Sequence, residues 1–128
     1  MQTIKFGLTA VLLLVGAAQT SASVSDNWPL LGFARAGDCK LAITSSGRAM
    51  QWRASGLIPG EALRLRLTNG DMVPIERILY AKADGTAAQF YLPFRFNRDG
   101  GNVTVMIDAS RCQLTATAPW TRGLVTIP

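Results

Sequence analysis

The sequence predicts an all-β fold, a seven-stranded antiparallel sandwich that follows a cleaved N-terminal signal peptide. From Asp38 onward, apolar and polar residues alternate with a period of two, as they do in strands that bury one face. Turn signals rich in Gly, Asn, Asp and Ser interrupt this alternation about every eight to twelve residues, the usual spacing in sandwiches of short strands. Two cysteines, Cys39 and Cys112, lie near the two ends of the alternating region.

The N-terminal residues have the order of a secretory signal peptide. Lys5 precedes an apolar run over residues 8–18, and small residues follow it. The run is about half of the ~20 residues that a membrane-spanning helix needs, although an uncleaved N-terminal anchor is the alternative. Cleavage after Ala22 fits best, and Ala18 is the second candidate. The sequence therefore divides into a signal peptide (1–22), a lead-in segment (23–37) and the sandwich (38–128).

The first three predicted strands show the alternation most clearly, and each ends at a turn: "SSG", "SGLIPGE" and "NGD". Their apolar phases are Cys39, Leu41 and Ile43; Met50, Trp52 and Ala54; and Leu63, Leu65 and Leu67.

The fourth segment, Ile75–Ala83, fits either a helix face or a strand. Asp84 and Gly85 directly after it favour a turn between two strands, so we expect a strand. Pro93 lies inside the fifth segment, which predicts an edge strand or a bulge there. The apolar phases of the last three strands are Ala88, Phe90, Leu92, Phe94 and Phe96; Val103, Val105 and Ile107; and Cys112, Leu114 and Ala116.

Both cysteines share the apolar phase of their strands, which predicts a Cys39–Cys112 disulfide inside the core. After export both thiols would meet an oxidising compartment, where two thiols of one small domain usually pair. The bond would close a loop of about 70 residues and stabilise the fold by about 4 kcal/mol in the chain-entropy model. Two separate buried thiols are the alternative.

The charge balance suits contact with anionic polymers but does not indicate nucleic acid. The whole chain has 13 Lys and Arg against 8 Asp and Glu, and removal of residues 1–22 takes away only Lys5. The cations are dispersed, without the basic runs or interleaved aromatics of nucleic-acid binders. A solvated sheet face is one interpretation of the strand cations. The other is a contact surface formed by Arg53, Arg64, Arg66 and Arg77.

The lead-in segment is rich in apolar residues without a clear period. We expect it either to lie over one end of the sandwich or to offer an apolar contact to a partner. The residues concerned are Trp28, Leu30, Leu31 and Phe33.

The sequence gives no positive indication of an enzyme. It contains no histidine, which excludes Ser-His and Cys-His nucleophile arrangements, and paired cysteines would leave no thiolate. Most carboxylates lie in turns beside glycine, where they usually bond their own backbone. The oxygen-rich turns "NRDGG" and "NGD" do not match a twelve-residue calcium loop. We therefore expect no catalytic residues, cofactor or metal.

Three stretches carry a resemblance to a known family: "SGLIPGEALRLRL" (55–67), "AKADGTAAQFYLP" (81–93) and "NVTVMI" (102–107). They are similar to the turn and strand motifs of bacterial immunoglobulin-like and fibronectin-type-III-like domains of envelope proteins. The resemblance implies a seven-stranded immunoglobulin-like sandwich used for adhesion, spacing or display. The disulfide is not a fixed feature of that family, and here it would tie together a single domain.

Together these observations predict an exported, non-catalytic binding module of the bacterial envelope, periplasmic or secreted. Its partner would be an unknown envelope protein or acidic glycan, without stable membrane insertion after signal cleavage. The alternative is a self-assembling structural or adhesive subunit. Such a subunit would add strands through residues 28–33 or through the edge strand that contains Pro93.

Overall fold

The structure, a computed structural model, describes residues 27–122 as two antiparallel sheets of four strands each. Sheet A has the strand order β1-β2-β3-β6, and sheet B has the order β5-β4-β7-β8. The strands are β1 (Leu30–Ala36), β2 (Cys39–Ser45), β3 (Met50–Ser55), β4 (Ala62–Asn69), β5 (Ile75–Tyr80), β6 (Ala87–Tyr91), β7 (Gly100–Asp108) and β8 (Gln113–Thr121). The all-β prediction is confirmed, but there are eight strands in the described range, not seven. The predicted signal peptide lies outside the described residues.

The additional strand is β1, which lies in the segment predicted to be a lead-in. It pairs antiparallel with β2, and a register shift between Leu30 and Gly32 interrupts the pairing. At Gly32 the strand runs so close to β8 that an added Cβ would lie 2.5 Å from the Thr117 carbonyl oxygen. An edge strand with a bulge and a glycine packed against a neighbouring strand shows no period-two pattern. The alternation of apolar and polar residues therefore does not predict β1.

Strand β6 corrects the predicted phase of the fifth segment. The strand ends at Tyr91, and its inward side chains follow Ala87 and Tyr91, which face Ala54 and Met50 of β3. Phe90 therefore points away from the core, and the chain leaves the sheet before Pro93. The prediction of an edge strand is confirmed, since β6 borders sheet A.

The core fills the space between the two sheets. Alternate residues of β2, β3, β4, β7 and β8 are buried, as the hydrophobic period predicts. The ambiguous fourth segment is a strand that pairs with β4. The largest fully buried side chains are Trp52, Leu41, Ile43, Met50, Leu63, Ile107, Val103, Val105 and Asn69.

The predicted disulfide is present and joins the two sheets. Cys39 opens β2 in sheet A, and Cys112 directly precedes β8 in sheet B. Their sulfur atoms are 2.04 Å apart and their Cα atoms 6.5 Å apart. The bond closes one end of the sandwich. Within residues 27–122, no helix is long and apolar enough to cross a membrane.

We predict that reduction of Cys39–Cys112 lowers the free energy of unfolding by about 4 kcal/mol, because the bond spans 73 residues and restricts the unfolded chain. Urea unfolding with and without reductant measures this, and the double variant Cys39→Ala/Cys112→Ala is the control without thiols. An unchanged unfolding midpoint after reduction would contradict the prediction.

Candidate functional site

The two ends of the sandwich are built differently. One end, the disulfide end, consists of the connections 37–38, 56–61, 81–86 and 109–112. The opposite end, the loop end, consists of residues 46–49, 70–74, 92–99 and 121–122.

The predicted cationic surface divides between faces of the molecule. Arg64 and Arg66 share the outer face of sheet B, where Arg64 is in register with Ile78 and Asp108. Arg66 forms an ion pair with Glu76 at 3.6 Å. This face therefore mixes charges of both signs, and the pair is worth little because both side chains are largely exposed.

The other two predicted cations, Arg53 and Arg77, do not lie on the outer face of sheet B. Arg53 is in register with Ala42 and Ala88 on the outer face of sheet A. Arg77 is in register with the buried Leu65, so it lies on the inward side of β5 at the open edge of the sandwich.

Each edge strand of the two sheets, within the described residues, has a feature that discourages pairing with another chain. Inward-pointing charges, prolines, short strands and bulges are the means by which sheets avoid pairing with other chains. Edge strand β5 carries the inward Arg77, β6 is five residues long and is followed by Pro93, and β8 contains Pro119. The fourth edge, β1, lies against β8 at Gly32.

The predicted apolar contact residues also lie on different surfaces of the molecule. The bulge in β1 brings Leu30 and Phe33 to the same outer face of sheet A, where both are more than half exposed. Trp28 packs edge-to-face on Phe90 with ring centroids 5.8 Å apart. Leu31 instead faces the loop end and lines a groove there.

A buried amide holds the loop end together. Asn69, at the end of β4, is only 2% exposed. Its Nδ2 donates hydrogen bonds to the Pro93 carbonyl oxygen at 2.7 Å and to the Tyr91 hydroxyl at 3.2 Å. Its Oδ1 accepts one from Trp120 Nε1 at 3.0 Å. One side chain therefore fixes the start of loop 92–99 to strands of both sheets.

An ion-pair cluster holds the middle of the same loop. Asp71 lies 2.9 Å from the Arg95 guanidinium and 3.6 Å from that of Arg98. The hydrogen bond and the charge of Arg95 lower the pKa of Asp71 below its usual value. Arg122 donates from Nε to the Arg98 carbonyl oxygen at 2.9 Å and from a second guanidinium nitrogen to that of Arg95. Asn97 completes the turn in the left-handed conformation, with a φ of 61°.

This constrained loop exposes large apolar side chains. Phe96 is 87% exposed and Leu92 is 68% exposed. The neighbouring connection 70–74 adds Val73, which is 84% exposed, and Met72. At the disulfide end, Ile58 alone among the loop residues is an exposed large apolar side chain. Of the two ends, the loop end therefore exposes more apolar surface. Its connections are held by hydrogen bonds and ion pairs, and exposed apolar groups on such loops are expected of a contact site.

A groove of about 200 Å³ adjoins these loops. Leu31, Phe94 and Trp120 form part of its lining, and Arg48 lies at it on the β2–β3 turn. The Phe94 and Trp120 rings meet edge-to-face, with centroids 5.8 Å apart. The apolar surface of the loop end therefore continues into this groove.

Sequence reasoning missed most of this site. Phe94 and Phe96 were predicted as strand residues of the core phase because the alternation continues past Pro93. The available signal was Pro93 itself together with the polar run from Asn97 to Asp99, which is typical of a loop.

The disulfide end has a structural carboxylate. Glu61 accepts hydrogen bonds from the Ile58 amide at 2.7 Å, the Ser110 amide at 3.0 Å and the Ser110 hydroxyl at 2.7 Å. The bonds from Ser110 are the main reason why the pKa of Glu61 lies below its usual value. Among the described residues, no three His, Cys, Asp or Glu side chains come together in a way that could hold a metal ion.

Comparisons of the chain with protein-family models, with curated proteins and with solved structures found no match.

We predict that Asn69→Ala lowers the free energy of unfolding by about 3 kcal/mol, because it leaves the Trp120 N–H and the Pro93 carbonyl buried without partners. Urea unfolding measures the change. Asn102→Ala is the matched control, since Asn102 is an exposed asparagine on β7 and we expect a change within about 0.5 kcal/mol. A cost for Asn69→Ala no larger than that of the control would contradict the role given to Asn69.

We also predict that Arg77→Val causes concentration-dependent self-association, because it replaces the inward charge of edge strand β5 with a strand-favouring side chain. Sedimentation velocity over a concentration series measures it. Arg53→Val, the same substitution on the interior strand β3, should leave the sedimentation coefficient unchanged. A monomeric Arg77→Val protein at all concentrations would show that this charge does not protect the edge.

Proposed function

We propose that this chain is an exported, non-catalytic binding module of the bacterial envelope that contacts its partner through the loop end. The observation that carries the proposal is the combination of exposure and constraint at residues 92–99. Phe96 is 87% exposed, yet its loop is held by Asn69, Asp71 and Arg122. Phe96 belongs to a group of exposed apolar side chains at the loop end, with Leu92 and Val73, and such groups mark interaction sites.

The constraint itself favours binding. Ordering a mobile loop on association costs free energy, and a loop that is already ordered avoids most of that cost. Buried hydrogen bonds to Asn69 and the Asp71 ion pairs supply this order on the side of the loop that faces the domain. The side chains of Phe96 and Leu92 take no part in these bonds and remain exposed, so they can contact a partner.

The export part of the proposal has support from the disulfide and the N-terminal sequence. A Cys39–Cys112 bond between the sheets suits an oxidising compartment such as the periplasm or the extracellular space. Residues 1–22 have the order of a signal peptide.

The strand order supports an immunoglobulin-like connectivity. If β2, β3 and β6 are taken as strands A, B and E, then sheet B corresponds to strands C′, C, F and G. In this assignment β1 is an additional strand beside A, and the disulfide joins A to G.

Strand addition is the less favoured mode of assembly. Each of the four sheet edges among the described residues carries a feature that discourages pairing: Arg77 on β5, the shortness of β6 with Pro93 after it, Pro119 on β8 and the contact of β1 with β8.

The experiment is co-sedimentation of the oxidised chain, purified after export, with envelope fragments. We compare the wild type with Phe96→Ser/Val73→Ser at the loop end. The matched control, Leu30→Ser/Phe33→Ser, removes the same kind of exposed apolar surface from the outer face of sheet A. We expect saturable binding that the loop-end variant loses by at least about tenfold, as expected when central apolar contacts are removed. Far-UV circular dichroism and urea midpoints check that all variants fold.

Two results would overturn the proposal. One is an absence of saturable binding to any envelope fraction. The other is binding that survives Phe96→Ser/Val73→Ser but is lost in Arg64→Glu/Arg66→Glu, which would move the contact to the outer face of sheet B.

A further inference from the structure

We propose that the partner of the loop end is an anionic lipid surface, so that the domain docks peripherally on a membrane with residues 92–99 and 70–74 facing the headgroups. This inference rests on the proposed function and names the class of its partner. Two features of the described residues favour lipid over a protein or a glycan.

The first feature is the exposure of apolar side chains on two separate connections. Phe96 and Val73 are 87% and 84% exposed, and the ion pairs of Asp71 with Arg95 and Arg98 join their two connections. Stable protein interfaces instead bury about 800 Å² on each partner with close complementarity. Side chains that protrude separately fit a fluid lipid surface, which adapts to them and buries each one at the boundary of headgroups and acyl chains.

The second feature is the charge of the two ends. The loop end carries four arginines against two aspartates, namely Arg48, Arg95, Arg98, Arg122, Asp71 and Asp99. The connections of the disulfide end have the opposite balance, with Lys82 and Arg111 against Asp38, Glu61 and Asp84. Cations beside inserting apolar side chains are what attracts a peripheral protein to anionic headgroups. The end that exposes apolar side chains is therefore also the cationic end.

The test is flotation of the oxidised, exported chain with lipid vesicles. One set contains phosphatidylcholine alone, and the other contains phosphatidylcholine with phosphatidylglycerol. We expect binding to the anionic vesicles that falls by at least about tenfold in Phe96→Ser/Val73→Ser and that weakens as salt increases. Leu30→Ser/Phe33→Ser should bind like the wild type. Arg48→Glu should weaken binding, whereas Arg53→Glu, the same charge reversal on the outer face of sheet A, should have a smaller effect.

Each remaining outcome overturns the inference in a defined way. Equal binding to neutral and anionic vesicles would show that the charge of the loop end plays no part. No binding to either vesicle, together with Phe96- and Val73-dependent binding to envelope material after lipid extraction, would make the partner a protein or glycan and leave the proposed function intact. No binding to vesicles or to extracted envelope would overturn the lipid inference and the proposed function together.

Discussion

The side chain of Asn69 is the constraint on which the loop end depends. Its three hydrogen bonds reach Trp120 on β8, Tyr91 at the end of β6 and the Pro93 carbonyl that begins the loop. A buried amide without such partners would cost about 1–3 kcal/mol for each unpaired group. The satisfied amide thus selects one arrangement of strands from both sheets. Because the start of the loop is fixed in this way, the exposed position of Phe96 is a property of the fold.

Different interactions join the two sheets at the two ends of the sandwich. Cys39–Cys112 joins the sheets covalently at one end, where Glu61 also ties two connections together. At the other end, noncovalent bonds join the sheets and leave apolar side chains exposed. The disulfide stabilises the fold from the opposite end, so the connections of the loop end are left available to bind a partner.

The edge strands also disfavour self-assembly by strand pairing, since Arg77 points inward on edge strand β5.

Most strands and the disulfide could be predicted from the sequence, because the apolar or polar character of their residues follows directly from burial. Leu41, Trp52 and Leu65 alternate with polar neighbours because each strand buries one face, and Cys39 and Cys112 share that phase. β1 could not be predicted in this way, because its bulge and Gly32 remove the alternation. The proposed contact site was harder still to predict. Phe96 continues an apolar alternation that began inside β6, and only the tertiary hydrogen bonds of Asn69 and the ion pairs of Asp71 turn it outward.

Residues 92–99 form an ordered loop while their apolar side chains remain exposed, and the proposed function depends on this combination. Backbone ¹⁵N relaxation of the oxidised protein tests it most directly, because order parameters distinguish a rigid backbone, at about 0.85, from a flexible one, below about 0.6. We expect the amides of Phe96 and Asn97 to have order parameters close to those of β4 and β7. Values below about 0.6 across the loop would contradict it, because Phe96 would then belong to a flexible segment and not to a preorganised contact surface.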